Sequence, residues 1–138
     1  MDVVPGALES VETAHATGRP LAVASSSAQI HLDSKIDRYG FAPLFSGHVY
    51  SADHVSEGKP APDIFLYAAE KLGVSSSECL VIEDSAHGVR AGVAAGATVW
   101  GFLGGGHILD DHAEQLLAAG ATRLIADHEM LSQSIRVL

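Results

Sequence analysis

The chain has 138 residues, room for one compact domain with a core that needs no covalent staples. Hydrophobic residues make up 47% and charged residues 18%, with a mean hydropathy of +0.20, which excludes a disordered chain. Eight Lys and Arg against 17 Asp and Glu leave a net charge of −9 with no basic run, a poor surface for nucleic acid or an anionic membrane.

In chain order, Met1-Asp2-Val3-Val4-Pro5 lacks a basic region followed by an apolar one, so no signal peptide is expected, and no apolar stretch is long enough to span a bilayer. Leu8, Val11 and Ala14 share one face of a helix that Gly18 can end. Leu21 to Ala24 is a short apolar run closed by Ser25-Ser26-Ser27, which predicts a buried strand running into a helix N-cap. The next helix carries Ile30 and Ile36 and stops at Gly40, and a weaker strand is expected over His48 to Ser51. After the loop Gly58-Lys59-Pro60-Ala61-Pro62, a helix from Asp63 to Leu72 turns Ile64, Ala68 and Leu72 inward and ends at Gly73. Cys79 to Ile82 is the clearest strand, with Cys79 expected as a small buried hydrophobe, and it runs into Glu83-Asp84.

Ser85 or Ala86 opens a helix through Ala95, and Gly88, Gly92 and Gly96 along it predict close approach to the sheet. Thr98 to Phe102 is a further strand with Trp100 in the core, followed by the loop Leu103 to His107. A helix over Asp110 to Ala119, a strand over Arg123 to Ala126 and a short last helix complete the chain. Such alternation predicts a single α/β domain over residues 1–138: a Rossmann-like parallel sheet with helices on both faces. Ligands of such sheets bind beyond the carboxyl ends of the strands, so the polar residues that follow each apolar run carry the functional signal.

Glu83 and Asp84 are the sharpest of these. Adjacent carboxylates at a strand end repel unless a cation or a proton lies between them. A hard ion such as Mg²⁺ takes one or two carboxylates and keeps waters that a phosphate can replace. The plainer alternative makes Asp84 or Ser85 the N-cap of the next helix. Ser25 offers a hydroxyl at a strand end, and the amides of Ser26 and Ser27 open a helix, together a phosphate cradle or simply a cap. Lys59, between Gly58 and Pro60, is held in a rigid loop and suits a phosphoryl group, although an isolated surface lysine is the commoner case. His107 and His112 around Asp110 and Asp111 read as solvated polar groups before they read as metal ligands. His87 is close enough to Glu83 and Asp84 to touch a substrate, and it suits a helix surface equally. The glycines at 104–106 do not fit a nucleotide fingerprint.

The runs Val23-Ala24-Ser25-Ser26-Ser27, Gly58-Lys59-Pro60-Ala61-Pro62-Asp63-Ile64-Phe65 and Val81-Ile82-Glu83-Asp84-Ser85-Ala86-His87-Gly88-Val89-Arg90-Ala91-Gly92 together resemble the haloacid dehalogenase-like hydrolases. The resemblance is to the branch of β-phosphoglucomutase and small sugar-phosphate phosphatases. It implies that Ser25 and Ser26 bind the phosphoryl group, that Lys59 holds it and the nucleophile, and that Asp84 with Glu83 ligates Mg²⁺. The family's nucleophile and proton shuttle come from an Asp-x-Asp motif on its first strand, and no Asp-x-Asp occurs in this sequence. The expected fold is therefore an incomplete core of that type, without its first strand and cap.

The resulting expectation is a Mg²⁺-dependent phosphomonoester hydrolase of cytoplasmic location, acting on a small phosphorylated molecule through an aspartyl-phosphate whose aspartate lies outside this chain. Phosphoglucomutase-like transfer is the close alternative. A catalytically inert binding or oligomerising module, paired through an open sheet edge, is the alternative of another class. A receiver-type phosphoacceptor fits less well, because its lysine should follow the acidic pair and Lys59 precedes it.

Overall fold

Short β-branched and aromatic runs build the strands, and the polar or glycine-containing segments between them set the helix ends. The computed structural model describes residues 7–25, 30, 36, 38, 40–45, 47–104 and 110–138. The elements are α1 (Ala7–Ala16), β1 (Val23–Ser25), α2 (Ala42–Phe45), β2 (Val49–Ser51), α3 (Asp63–Leu72), β3 (Leu80–Glu83), α4 (Ala86–Ala94), β4 (Thr98–Phe102), α5 (Asp110–Ala119), β5 (Arg123–Ile125) and α6 (His128–Arg136). Short 3-10 turns occupy Ala52–His54 and Ser76–Glu78.

The strands form two separate parallel arrays, β1-β2 and β3-β4-β5. In the second, Val81 pairs with Val99 and Ile82 with Trp100, so the period of two sends alternate residues to opposite faces. Val81 and Val99 meet Val89, Leu116 and Ala121 on one face, under α4 and α5. Trp100 and Ile125 meet Leu131 and Ile135 on the other, with Leu80, Phe102 and Ala14 at the margin, under α6 and α1. Helices thus cover both faces of this array, as expected of a parallel sheet whose strand centres are apolar. In the first array Val23 pairs with Val49 and Ser25 with Ser51, and α3 packs on both strands. Among the described residues no strand lies between β1 and β3. Ile82 on β3 is left 36% exposed.

Several boundaries differ from expectation. Strand β1 begins at Val23 and takes in Ser25, so Ser25 ends the strand instead of standing beyond it. The helix expected to carry Ile30 and Ile36 falls largely on undescribed positions, but Ile36 is 9% exposed and Ile30 76%. Cys79 is half-buried and outside β3: Ser75 and Glu78 close a capping box around the turn before it, which delays the strand by one residue. Burial raises the Cys79 thiol pKa, and Glu78 raises it further. Helix α2 and both 3-10 turns carried no periodic signal long enough to read.

Two glycines on and just after α4 have distinct roles. A Cβ at Gly92 would come within 2.6 Å of Val99 Cγ2, so only glycine permits this helix to lie so close to the sheet. Gly96 lies past the end of α4 in the left-handed region, at φ +87°.

Candidate active site

Both parallel arrays bring their carboxyl ends to the seam between them, and Lys59 spans it. Its Nζ donates to the Ala24 carbonyl oxygen of β1 at 3.1 Å and to Glu83 Oε1 of β3 at 2.7 Å. The Lys59 and Glu83 side chains are only 9% and 10% exposed. The lysine therefore joins the end of one array to the end of the other through a nearly buried ion pair. It also lies over the face of Phe65, with Nζ 5.1 Å from the ring centroid. An ammonium has three N–H donors. Among the described residues two hydrogen bonds are made by Lys59 Nζ, which leaves one donor without an acceptor there.

The loop before α3 fixes the root of this side chain. Pro62 precedes the helix, its carbonyl accepts from the Phe65 and Leu66 amides, and Gly73 ends the helix in the left-handed region at φ 75°. The Lys59–Pro60 peptide bond is cis. Farther back, Ser51 and His54 close a capping box around the turn that follows β2.

The two adjacent carboxylates part company. Glu83 takes Lys59 on Oε1 and the Ser85 hydroxyl on Oε2 at 3.2 Å. Ser85 in turn accepts the Gly88 amide at 3.0 Å and caps α4. Gly88 is glycine for a local reason: any Cβ there would run into the Glu83 carboxylate. Asp84 is exposed, and among the described residues no hydrogen bond or ion pair engages it. The repulsion expected between neighbouring carboxylates is thus relieved on the Glu83 side by an ammonium, while Asp84 stays open to a ligand from solvent.

Of the residues singled out from sequence, Ser25, Lys59, Glu83 and Asp84 fall at this seam, since Lys59 bonds the residue next to Ser25 and the residue next to Asp84. Ser25 is half-buried at the end of β1, opposite Ser51. Ser26 and Ser27 lie outside the described residues, as do His107, Gly105 and Gly106. His87 is exposed on α4, and His112 is half-buried on α5. Among the described residues no three His, Cys, Asp or Glu side chains converge as a metal cage. The periodic reading passed over Phe65 and the double duty of Ser85. Both lay within the quoted runs, and a phenylalanine in the first turn after a lysine-bearing loop is the signal that could have found the first.

A family model for haloacid dehalogenase-like hydrolases matches residues 2–96. A phosphorylated carbohydrates phosphatase of Thermotoga maritima is 34% identical over 135 residues, 97% of this chain and 60% of that protein. The bifunctional riboflavin kinase/FMN phosphatase of Arabidopsis thaliana is 45% identical over 97 residues, 70% of this chain and 25% of that protein. A HAD family hydrolase from Deinococcus radiodurans, solved with bound phosphate and sodium, superposes with a TM-score of 0.89 at 38% identity, covering 97% of this chain and 59% of its own. The chain thus spans between a quarter and three fifths of the length of these relatives. With the motif residues gathered at one seam of a parallel α/β fold, the chain belongs to the haloacid dehalogenase-like hydrolases.

Proposed function

We propose that this chain forms the phosphoryl-binding part of a Mg²⁺-dependent phosphomonoester hydrolase that acts on small phosphorylated carbohydrates. The observation that carries the reading is Lys59: a nearly buried ammonium at the carboxyl ends of two parallel arrays, with one donor left over among the described residues. A donor so placed favours an anionic oxygen strongly, because little water competes for it. Ser25, at the end of β1, and Ser26, next in the sequence, are the other residues proposed to bind the phosphoryl group. The phosphatase of phosphorylated carbohydrates among the relatives supports the substrate class.

The donor set fits Mg²⁺: an exposed, unengaged Asp84 carboxylate beside Glu83, at a place where phosphate oxygens and waters can complete the coordination. When bound there, the ion neutralises phosphoryl charge. Lys59 acts on the same charge, and Glu83 and the Ala24 carbonyl hold its ammonium in place. The nucleophile is an aspartate supplied from outside this sequence. Its carboxylate oxygen bonds to phosphorus as the ester P–O bond breaks, and the second aspartate of the same Asp-x-Asp motif gives the leaving alcohol its proton. Water then cleaves the acyl phosphate to inorganic phosphate and the regenerated carboxylate. Phosphomutase-like transfer would use the same residues and return the phosphoryl group to a sugar hydroxyl.

The test is titration of the chain with inorganic phosphate, with and without Mg²⁺, followed by ³¹P NMR. Mg²⁺-enhanced phosphate binding is expected. Asp84→Asn, an exposed substitution that spares the fold, should abolish the enhancement, and Lys59→Gln should weaken phosphate binding at least about tenfold. Phosphate binding unchanged in both variants would sink the reading.

A second reading draws on the open arrays. Without a strand between β1 and β3 among the described residues, and with Ile82 exposed, the chain could pair as an inert, self-associating module. Analytical ultracentrifugation of wild type showing a dimer, together with no phosphate binding, would favour it.

A further inference from the structure

We propose that Phe65 is a positioning residue for Lys59, its ring face fixing the ammonium so that the leftover N–H meets the phosphoryl group. The inference rests on the role given to Lys59 above. Two acceptors, the Ala24 carbonyl and Glu83 Oε1, hold the ammonium at 3.1 and 2.7 Å. Together with the covalent bond to Cε they aim the third N–H, but the flexible side-chain stem can still carry the group about the line that joins the two acceptors. A third point of attachment removes that freedom. The Phe65 ring supplies one, with Nζ 5.1 Å from its centroid. The negative face of the ring attracts a cation without accepting a conventional hydrogen bond, so it locates the charge while leaving the donor available.

The ring is itself immobilised. Phe65 belongs to the first turn of α3, its amide bonds the Pro62 carbonyl at 3.1 Å, and its side chain packs against the cluster that contains Val81 and Val89. Packing on the core thus sets the direction of a side chain that the polar contacts alone leave loose. Because the Lys59 side chain is only 9% exposed, water does little to weaken the ring's attraction.

The experiment observes Lys59 directly in the full chain and then measures inorganic phosphate binding. In wild type, the ε-methylene protons of Lys59 should resonate upfield of the ordinary lysine position, because the Nζ beside them lies 5.1 Å from the Phe65 ring centroid. Phe65→Leu keeps apolar packing and removes the ring. It should return those protons to the ordinary position and weaken phosphate binding about two- to thirty-fold. Phe65→Tyr keeps the ring face and should restore both properties, which a purely structural role for residue 65 would not require. A wild-type Lys59 without the upfield shift overturns the proposal with no variant needed. So does a Phe65→Leu protein with a native amide spectrum and phosphate affinity within about twofold of wild type. If wild type binds no phosphate, the functional reading of Lys59 falls, whereas the Lys59 resonance still reports whether Phe65 holds it.

Discussion

The β3-β4-β5 array and the β1-β2 array are held by different means. The first is covered on both faces, and its two apolar clusters leave Leu116, Ile125 and Val89 fully buried. The second has two strands of three residues each, and it meets the first through helix contacts and the Lys59 ion pair. Stability is concentrated in the apolar array, where many weak contacts act together. Chemistry is concentrated at the seam, where a few polar contacts are aimed. A fold organised this way can vary its site without disturbing its core, but the seam has little redundancy.

Substitutions in the two regions can break or sharpen that contrast. Leu116→Ala removes a fully buried side chain between α5 and the sheet, and should cost about 2–5 kcal/mol in urea denaturation while leaving any phosphate affinity of the folded fraction unchanged. Loss of affinity in the folded protein would mean that core and seam are not separable. Gly88→Ala should reach the seam as well as the fold. Its methyl group displaces the Glu83 carboxylate, costs about 1–3 kcal/mol, and weakens the Lys59 tie along with phosphate binding. A Gly88→Ala protein with wild-type phosphate binding would show that Glu83 does not govern the lysine.

The smallest effect concerns the fastening of α1. Ser10, 2% exposed, bonds His128 Nδ1 at 2.8 Å, and the imidazole packs on Phe102 with ring centroids 4.5 Å apart. Burial lowers the His128 pKa, against the opposing pull of Asp127 and Glu9. The folded chain thus holds fewer protons here than the unfolded one. The associated stability is complete above the ordinary histidine value of about 6.5, and it is lost as pH falls through that value toward the lowered one. Urea midpoints should therefore fall between about pH 7.5 and about pH 5.5, and replacing His128 by Gln should flatten that change. Ser10→Ala should cost about 1 kcal/mol at neutral pH. A pH slope unchanged in the Gln variant would assign it to other groups.

Much of this was legible in the sequence wherever period and chemistry agreed. Val81 and Ile82 announced a strand, and the polar pair after them marked its carboxyl end. Trp100 reads as core and is core, at 7% exposure. Ser25, Lys59, Glu83 and Asp84 were identified by residue type and context, yet nothing in a linear order says that Glu83 would bond Lys59 while Asp84 stays open. That division depends on which side of β3 the lysine loop crosses, a long-range fact. Cys79 was misread because an apolar neighbourhood outweighed a capping box whose effect is to end one element before another begins.

Ser85 has a single hydroxyl proton, and it goes to Glu83 while the oxygen receives the Gly88 amide. The first turn of α4 and the grip on Lys59 therefore share one atom. Helix ends fray as a matter of course, and elsewhere such fraying stays local. Here it does not: each opening of that turn slackens the carboxylate and, through it, the ammonium. The sharpness of anion recognition at the seam is thus limited by how tightly one helix is wound at its beginning.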